Sequence, residues 1–505
     1  MLRSRRLLLA GLAFLLLSPH TSALAEDAPQ AHAQKSASSQ PAQPLPADAT
    51  THHTLGIAGE EIAYTAVAGT LPLTDDKGEK AAEIFYTAFL RENVEASARP
   101  ITYAFNGGPG AASAYLDIGA LGPRALDFGA SGKPMPTVDR VNDNPDSWLS
   151  FTDLVFIDPV GTGYSRALGG EDAARKLWSV RPDLDALARI IRLHLTRSGR
   201  LASPVYLVGE SYGGFRAARL SQQLARDEGI AVRGVMLVSP VLEFRLMSGD
   251  EFDLLPWALH LPAYAAVALE AKGALSPEAL APAEHFALGD YLTGLAAGNG
   301  DAETTRHLYA GIAELIGVDE KLVERWHGRI PTGAYVKEMG RAKGEVLSRY
   351  DGSVAGLDPD PRSDRAEDDP VLDGSIAPFT RAFLAYCRDE LGFKTDRTYE
   401  LLNGEVGQHW NWQDGHTSGR NALGAADALR RALALHPKMH VLIAHGLTDL
   451  TTPYMMSRYV VDHLPSRLTQ SRIELKLYAG GHMMYLRSAS RHRLREDAAA
   501  FYGAQ

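Results

Sequence analysis

Cysteine is almost missing from these 505 residues: Cys387 is the only one. No internal disulfide can form, so the core must be held by apolar burial alone. Cys387 closes the run Phe383-Leu384-Ala385-Tyr386-Cys387, a predicted helix, where a lone thiol reads as a small buried hydrophobe. Blocks of Lys and Arg are also missing, and with a formal net charge of -10 this excludes nucleic acid as a partner. No spacing of the His-Glu-x-x-His kind occurs, so no metal is expected, and the Gly-rich loops lack the spacing of a dinucleotide or P-loop fingerprint. The apolar run Leu7 to Leu17 is too short to span a bilayer.

What is present is ordinary for a globular enzyme, with 45% hydrophobic and 22% charged residues. Arg3, Arg5 and Arg6 precede the Leu7 to Leu17 run, and Ala23-Leu24-Ala25 follows it, the pattern of a secretory signal over 1–25 cleaved after Ala25. Export to the periplasm or medium is therefore expected, with no stable membrane anchor after cleavage. Residues 26–50 are Ala, Gln, Pro, Ser and Asp with little to bury, a flexible linker. Oligomeric state is not legible.

Short β-like runs between His53 and Glu92, joined by turn signals at Ala58-Gly59 and Asp76-Lys77-Gly78, predict antiparallel strands at a sheet edge. From Phe105 to Arg219 the chain then alternates strand, loop, strand, helix, strand, helix, which implies a mostly parallel sheet with helices on its faces. After the strand at Val235–Ser239, segments 257–271, 279–298, 302–316 and 319–326 carry Ala and Leu at helical spacing. The expected organisation is a core in two parts, 51–244 and 436–505, with a mainly helical cap inserted over 245–435. Within the cap, Asp358-Pro359-Asp360-Pro361 and Glu367-Asp368-Asp369-Pro370 read as solvated loop in preference to a calcium site. Trp410 and Trp412 read as core packing in preference to substrate contact.

Chemistry concentrates at strand ends. Val205–Val208 is followed by Gly209-Glu210-Ser211-Tyr212-Gly213 and then a helical pattern, so Ser211 sits at a strand-to-helix corner of the nucleophile-elbow kind. Asn106-Gly107-Gly108-Pro109-Gly110 follows another strand and can present backbone N–H groups unobstructed by side chains. Asp449 and His482 each follow a later strand. Ser, Asp, His is the chain order of α/β-hydrolase triads: Ser211 as nucleophile, His482 as proton acceptor and donor, Asp449 fixing the imidazole. Backbone N–H groups of Tyr212 and of Gly107 or Gly108 would form the oxyanion hole. Such a mechanism requires no cofactor.

These residues also resemble a known family. Asn106-Gly107-Gly108-Pro109-Gly110, Asn144-Pro145 with Ser147-Trp148, Asp158-Pro159-Val160-Gly161-Thr162-Gly163-Tyr164-Ser165, Gly209-Glu210-Ser211-Tyr212-Gly213-Gly214, Asp449 and Gly481-His482-Met483 look like the serine carboxypeptidases, in family order. The resemblance implies an exopeptidase that removes residues from peptide C-termini. It implies a substrate carboxylate held by Asn106, Gly107 and Glu210, with Met483 also contacting substrate, and oxyanion donors at Gly108 and Tyr212. Three positions depart from the family pattern: Ala111 replaces its Cys, one residue is missing between Asp158 and Pro159, and Ala120 stands where a second Glu is expected. Two facing carboxyls share a proton and so can donate to a carboxylate. Without that partner Glu210 is expected to ionise more readily, unless Asp117 or Arg124 compensates, and C-terminal specificity is expected to be weaker or differently tuned. An esterase, acyltransferase or aminopeptidase of the same fold is the alternative, and a non-catalytic binding protein the least favoured reading.

Overall fold

A computed structural model of the chain describes residues 45–503 other than Pro136 and Asn299. The signal segment 1–25 and most of the linker lie outside the described residues. Strands β1 (Ala49–Ile57), β2 (Glu60–Thr74) and β3 (Lys80–Arg91) form the antiparallel edge, turning at Ala58-Gly59 as the sequence predicts. The linker ends slightly earlier than expected: Asp48 already accepts the Thr70 N–H at 2.9 Å, and β1 starts one residue later.

β4 (Ile101–Phe105), β5 (Asp153–Ile157) and β6 (Val205–Glu210) are buried at every position. Strands without alternation are those covered on both faces, and these are the parallel heart of the sheet. With β7 (Val232–Val238), β8 (His440–Gly446) and β9 (Ile473–Tyr478) the strand order is β1-β2-β3-β5-β4-β6-β7-β8-β9, and Arg166–Ala167 pairs with β3 off that path. The chain leaves β4 toward one side, forms β5, and returns to β6 on the other side. A crevice therefore opens at the carboxyl ends of β4 and β6, where open α/β sheets bind ligands.

One apolar layer sets helices α1 (Val180–Arg197) and α2 (Tyr212–Asp227) against the sheet, and the opposite layer holds α3 (Leu372–Asp389) and α4 (Ser488–Gly503). This α/β/α sandwich, parallel except at its N-terminal edge, is the α/β-hydrolase architecture. The segment between β7 and β8 is mainly helical, with helices at Leu255–Ala271, Pro277–Phe286, Ala302–Ile316 and Glu320–Arg325 close to the predicted spans. Its helix α3 packs into the sheet layer itself, with Phe379 4.9 Å from the Tyr115 ring and Cys387 fully buried. Burial pushes the Cys387 thiol well above its ordinary range, in keeping with an inert role. Among the described residues no helix is long and apolar enough to cross a membrane.

The acidic, proline-broken stretch is organised by a side chain of this protein. Lys337 Nζ, 2% exposed, donates to both Asp358 oxygens at 2.7 Å and to the Asp360 carbonyl at 2.7 Å. An ammonium thus stands where a cation would have to bind. Removing one partner of a buried pair strands the other charge, so Lys337→Met is expected to cost about 3–5 kcal/mol in urea unfolding. Replacing both partners, in Lys337→Met with Asp358→Leu, should recover much of that loss. Calcium should leave the melting temperature of the unmodified protein unchanged.

Candidate active site

The elbow is built by steric exclusion. Ser211 has φ 60° and ψ −121°, a conformation that costs a non-glycine residue about 1–3 kcal/mol. A Cβ on Gly209 would strike the Gly213 carbonyl, and one on Gly213 would strike the Phe105 carbonyl, so the two flanking glycines let β6 and α2 close around the serine. Three backbone hydrogen bonds offset the strain: Ser211 N–H to Val238 O at 3.0 Å, Gly214 N–H to Ser211 O at 2.9 Å and Val241 N–H to Ser211 O at 3.2 Å. At about 1 kcal/mol each they match the conformational cost.

The glycine-rich loop after β4 lies directly against this corner. A Cβ on Gly107 would sit 2.5 Å from Tyr212 N and 2.8 Å from Glu210 O, so backbone approaches backbone there. Gly108, at φ 98°, is exposed, while Tyr212 is buried against Trp410 and Trp412 at ring distances of 5.5 and 5.8 Å. The two tryptophans therefore pack behind the elbow, as the sequence predicts. The fully buried Arg216 holds the loop from below: Nε and Nη2 grip the two Asp183 oxygens at 2.7 and 3.1 Å, and Nη1 donates to the Asn106 carbonyl at 2.6 Å.

Two further motifs brace the same loop. Ser113 N–H donates to Asp158 Oδ1 at 2.8 Å, and Asn144 Nδ2 donates to the carbonyls of Ala120 at 2.9 Å and Gly122 at 2.8 Å. Both motifs are thus fastenings of the segment that follows the glycines.

Asp449 and His482 emerge at the same sheet edge as Ser211, since β6, β7, β8 and β9 run parallel in register. His482 Nδ1 donates to Asp449 Oδ2 at 2.9 Å, both groups being fully buried. Asp449 Oδ1 accepts the N–H groups of Thr451 and Thr452 at 2.8 and 2.9 Å. Burial alone would raise the Asp449 pKa, but the His482 ring and these donors hold it below the usual carboxylate range. Burial likewise works against a charged His482, yet Asp449, and more weakly Glu210, keep its pKa above the ordinary histidine value. With Nδ1 committed to Asp449, Nε2 is the nitrogen left to exchange a proton. His445, pushed by burial to about 4, stays neutral and is occupied by Ser457 Oγ at 2.8 Å.

One backbone segment joins the elbow to the histidine. Val238 and Val241 hold Ser211, while Ser239 Oγ donates to the His482 carbonyl at 2.8 Å. The inserted segment supports the other side: the Tyr350 carbonyl accepts the His482 N–H at 2.5 Å, and the Tyr350 ring stands edge-on to the imidazole at 4.9 Å.

Beside Ser211, the carboxyl of Glu210 is buried, and its Oε2 accepts from Asn106 Nδ2 at 3.0 Å and from Tyr485 OH at 2.7 Å. Burial pushes the Glu210 pKa up to about 7, the nearby His482 and the two hydrogen bonds offsetting only part of the effect, so the carboxyl holds its proton toward neutrality with no second carboxyl beside it. One expectation is corrected here: neither Asp117 nor Arg124 stands in for the missing carboxyl. Asp117 bonds Thr87, and Arg124 pairs with Asp143 and Glu390. The partner is Tyr485, which sequence reasoning missed because a tyrosine three residues past a histidine carries no motif. Met483 is buried in the apolar layer beneath the site.

A strained serine between β6 and α2, a glycine-rich loop against it, and a buried His–Asp pair at the same edge of a mostly parallel sheet define an α/β-hydrolase. Residues 60–245 match the family model described as serine carboxypeptidase. Serine carboxypeptidase-like 8 of Arabidopsis thaliana is 24% identical over 221 residues, 42% of this chain and 46% of the relative. Carboxypeptidase sxa2 of Schizosaccharomyces pombe is 28% identical over 136 residues, 26% of this chain and 24% of the relative. The chain thus spans less than half the length of these curated relatives. The family match contains Ser211 and the glycine loop and ends before Asp449 and His482. Among solved structures, the proline iminopeptidase of Mycobacterium smegmatis is 15% identical, with a TM-score of 0.39 over 86% of this chain and 98% of that one. At that similarity the fold assignment rests on the strand order and the elbow.

Two outcomes follow from the buried charges. Arg216→Met strands Asp183 and frees the Asn106 carbonyl, so it should cost about 3–5 kcal/mol in urea unfolding. Glu210 has a folded pKa of about 7 against an ordinary 4.5, so its stabilising protonated form is fully present below pH 4.5 and is lost as pH rises to about 7. Wild-type stability relative to Glu210→Gln should therefore fall by about 3 kcal/mol across that window and level off above it. A pH-independent difference in melting temperature would contradict the shift.

Proposed function

We propose that this protein is an exported serine-type carboxypeptidase that removes residues from the C-termini of peptides. The observation that carries this reading is the position of Glu210. A half-neutral carboxyl, next in sequence to the elbow serine and hydrogen-bonded to Asn106, suits a peptide's terminal carboxylate better than an internal peptide bond. The family-model match over residues 60–245 and the His482–Asp449 pair support the same reading.

In this mechanism the terminal carboxylate binds at Asn106, the Gly107 N–H and protonated Glu210. The last peptide carbonyl then lies over Ser211. Ser211 Oγ attacks its carbon as His482 Nε2 takes the hydroxyl proton, and Asp449 stabilises the resulting imidazolium. The N–H groups of Gly108 and Tyr212 take the negative charge that develops on the carbonyl oxygen. His482 returns the proton to the leaving amine, the C–N bond breaks, and an acyl-enzyme on Ser211 remains. Water enters, gives its proton to His482, and releases the shortened peptide.

Incubation with a mixed peptide library should give ladders that shorten from the C-terminus, read by mass spectrometry, and Ser211→Ala should remove the activity by several orders of magnitude. Trimming from the N-terminus, or cleavage of esters alone, would contradict the reading.

A further inference from the structure

Glu210 meets its surroundings through one oxygen. Asn106 Nδ2 and Tyr485 OH both donate to Oε2, and among the described residues no hydrogen bond reaches Oε1. The Asn106 amide cannot turn over, because its Oδ1 accepts the Leu116 N–H at 3.1 Å. A carboxyl oxygen that accepts two hydrogen bonds has no lone pair left for a proton of its own. The proton of neutral Glu210 therefore belongs on Oε1.

We propose that Tyr485 is a specificity-determining residue: together with Asn106 it confines the Glu210 proton to Oε1, where it forms an O–H donor for the terminal carboxylate of a peptide substrate. The proposal rests on the carboxypeptidase reading above. It differs in kind from a shared proton between two carboxyls, because a phenol keeps its own proton throughout the working range. Burial and the Glu210 charge both push Tyr485 far above the ordinary tyrosine value. Tyr485 is thus a donor at every relevant pH and never competes for the proton of Glu210.

The groups facing this carboxyl come from several elements. His482 and Asp449 lie on the loops after β9 and β8, Tyr485 on the turn Met484–Leu486, Tyr115 on the segment after the glycine loop, and Tyr350 on the inserted segment. The three phenols stay neutral and Asp449 stays ionised, so only His482 changes charge near neutrality. The site then has one carboxyl step and one imidazole step, and no carboxyl pair.

The test is an infrared titration of the protonated carboxyl C=O stretch, assigned to Glu210 by its loss in Glu210→Gln. Tyr485→Phe removes a donor that favours the charged form, so the step should move up by about one pH unit. Below that step, where Glu210 is neutral in both proteins, the ratio of kcat/KM for a peptide with a free C-terminus to that for its C-terminal amide should fall about tenfold in Tyr485→Phe, because the proton is no longer confined to Oε1. Uniform replacement of tyrosine by 3-fluorotyrosine strengthens the phenol as a donor and should move the step the other way, which keeps the assignment testable if Tyr485→Phe does not fold. A step that moves in neither protein, or a peptide-to-amide ratio unchanged in a folded Tyr485→Phe, overturns the role of Tyr485. A moved step in a wild type that never prefers a free C-terminus overturns instead the carboxypeptidase reading on which that role rests.

Discussion

The backbone from Val238 to Val241 holds the elbow serine and the histidine loop in one frame. It accepts the Ser211 N–H, donates to the Ser211 carbonyl, and through Ser239 Oγ fastens the carbonyl of His482. Thr452 Oγ1, 2.9 Å from the Ser239 carbonyl and 2.7 Å from Asp449 Oδ2, extends the frame to the acid. A serine in an unfavourable conformation keeps its place only where its surroundings over-determine it. The parallel register of β6, β7 and β8 supplies that constraint, since it brings three loop starts to one level.

Dehydration shapes the electrostatics around this frame. Asp449, His482 and Glu210 are all buried, yet each is displaced differently. Asp449 is surrounded by donors and a ring that charges readily, so it stays ionised; Glu210 accepts two neutral donors, which do not offset the loss of water, so it holds its proton toward neutrality. Neighbouring carboxyls with unlike partners thereby divide the labour, one permanently charged and one neutral in acid. Beneath them the Arg216–Asp183 pair spends a buried guanidinium on positioning the Asn106 carbonyl, which shows how much of the local charge serves geometry.

The fold was legible in the sequence wherever hydrophobic period and glycine placement agreed. The unbroken runs at Ile101–Phe105 and His440–Gly446, and the glycines around Ser211, lead straight to strands, elbow and strand order. So do the helices over 257–271 and 302–316. What stayed hidden depends on contacts between distant segments. Lys337 reaching Asp358, α3 leaving the inserted segment to join the sheet layer, and Tyr485 facing Glu210 across 275 residues leave no local pattern. The departure at Ala120 is visible in the sequence, whereas the burial that raises the Glu210 pKa is visible only in the packed structure.

In the proposed mechanism the buried His482–Asp449 pair activates the strained Ser211. Labelling by a fluorophosphonate tests this most directly, with the site of modification and its rate read by mass spectrometry across pH. The expected result is a single adduct on Ser211, formed faster as His482 loses its proton on the alkaline side of the ordinary histidine range and slowed by several orders of magnitude in His482→Gln. An unlabelled Ser211, or a rate indifferent to His482→Gln, would contradict it.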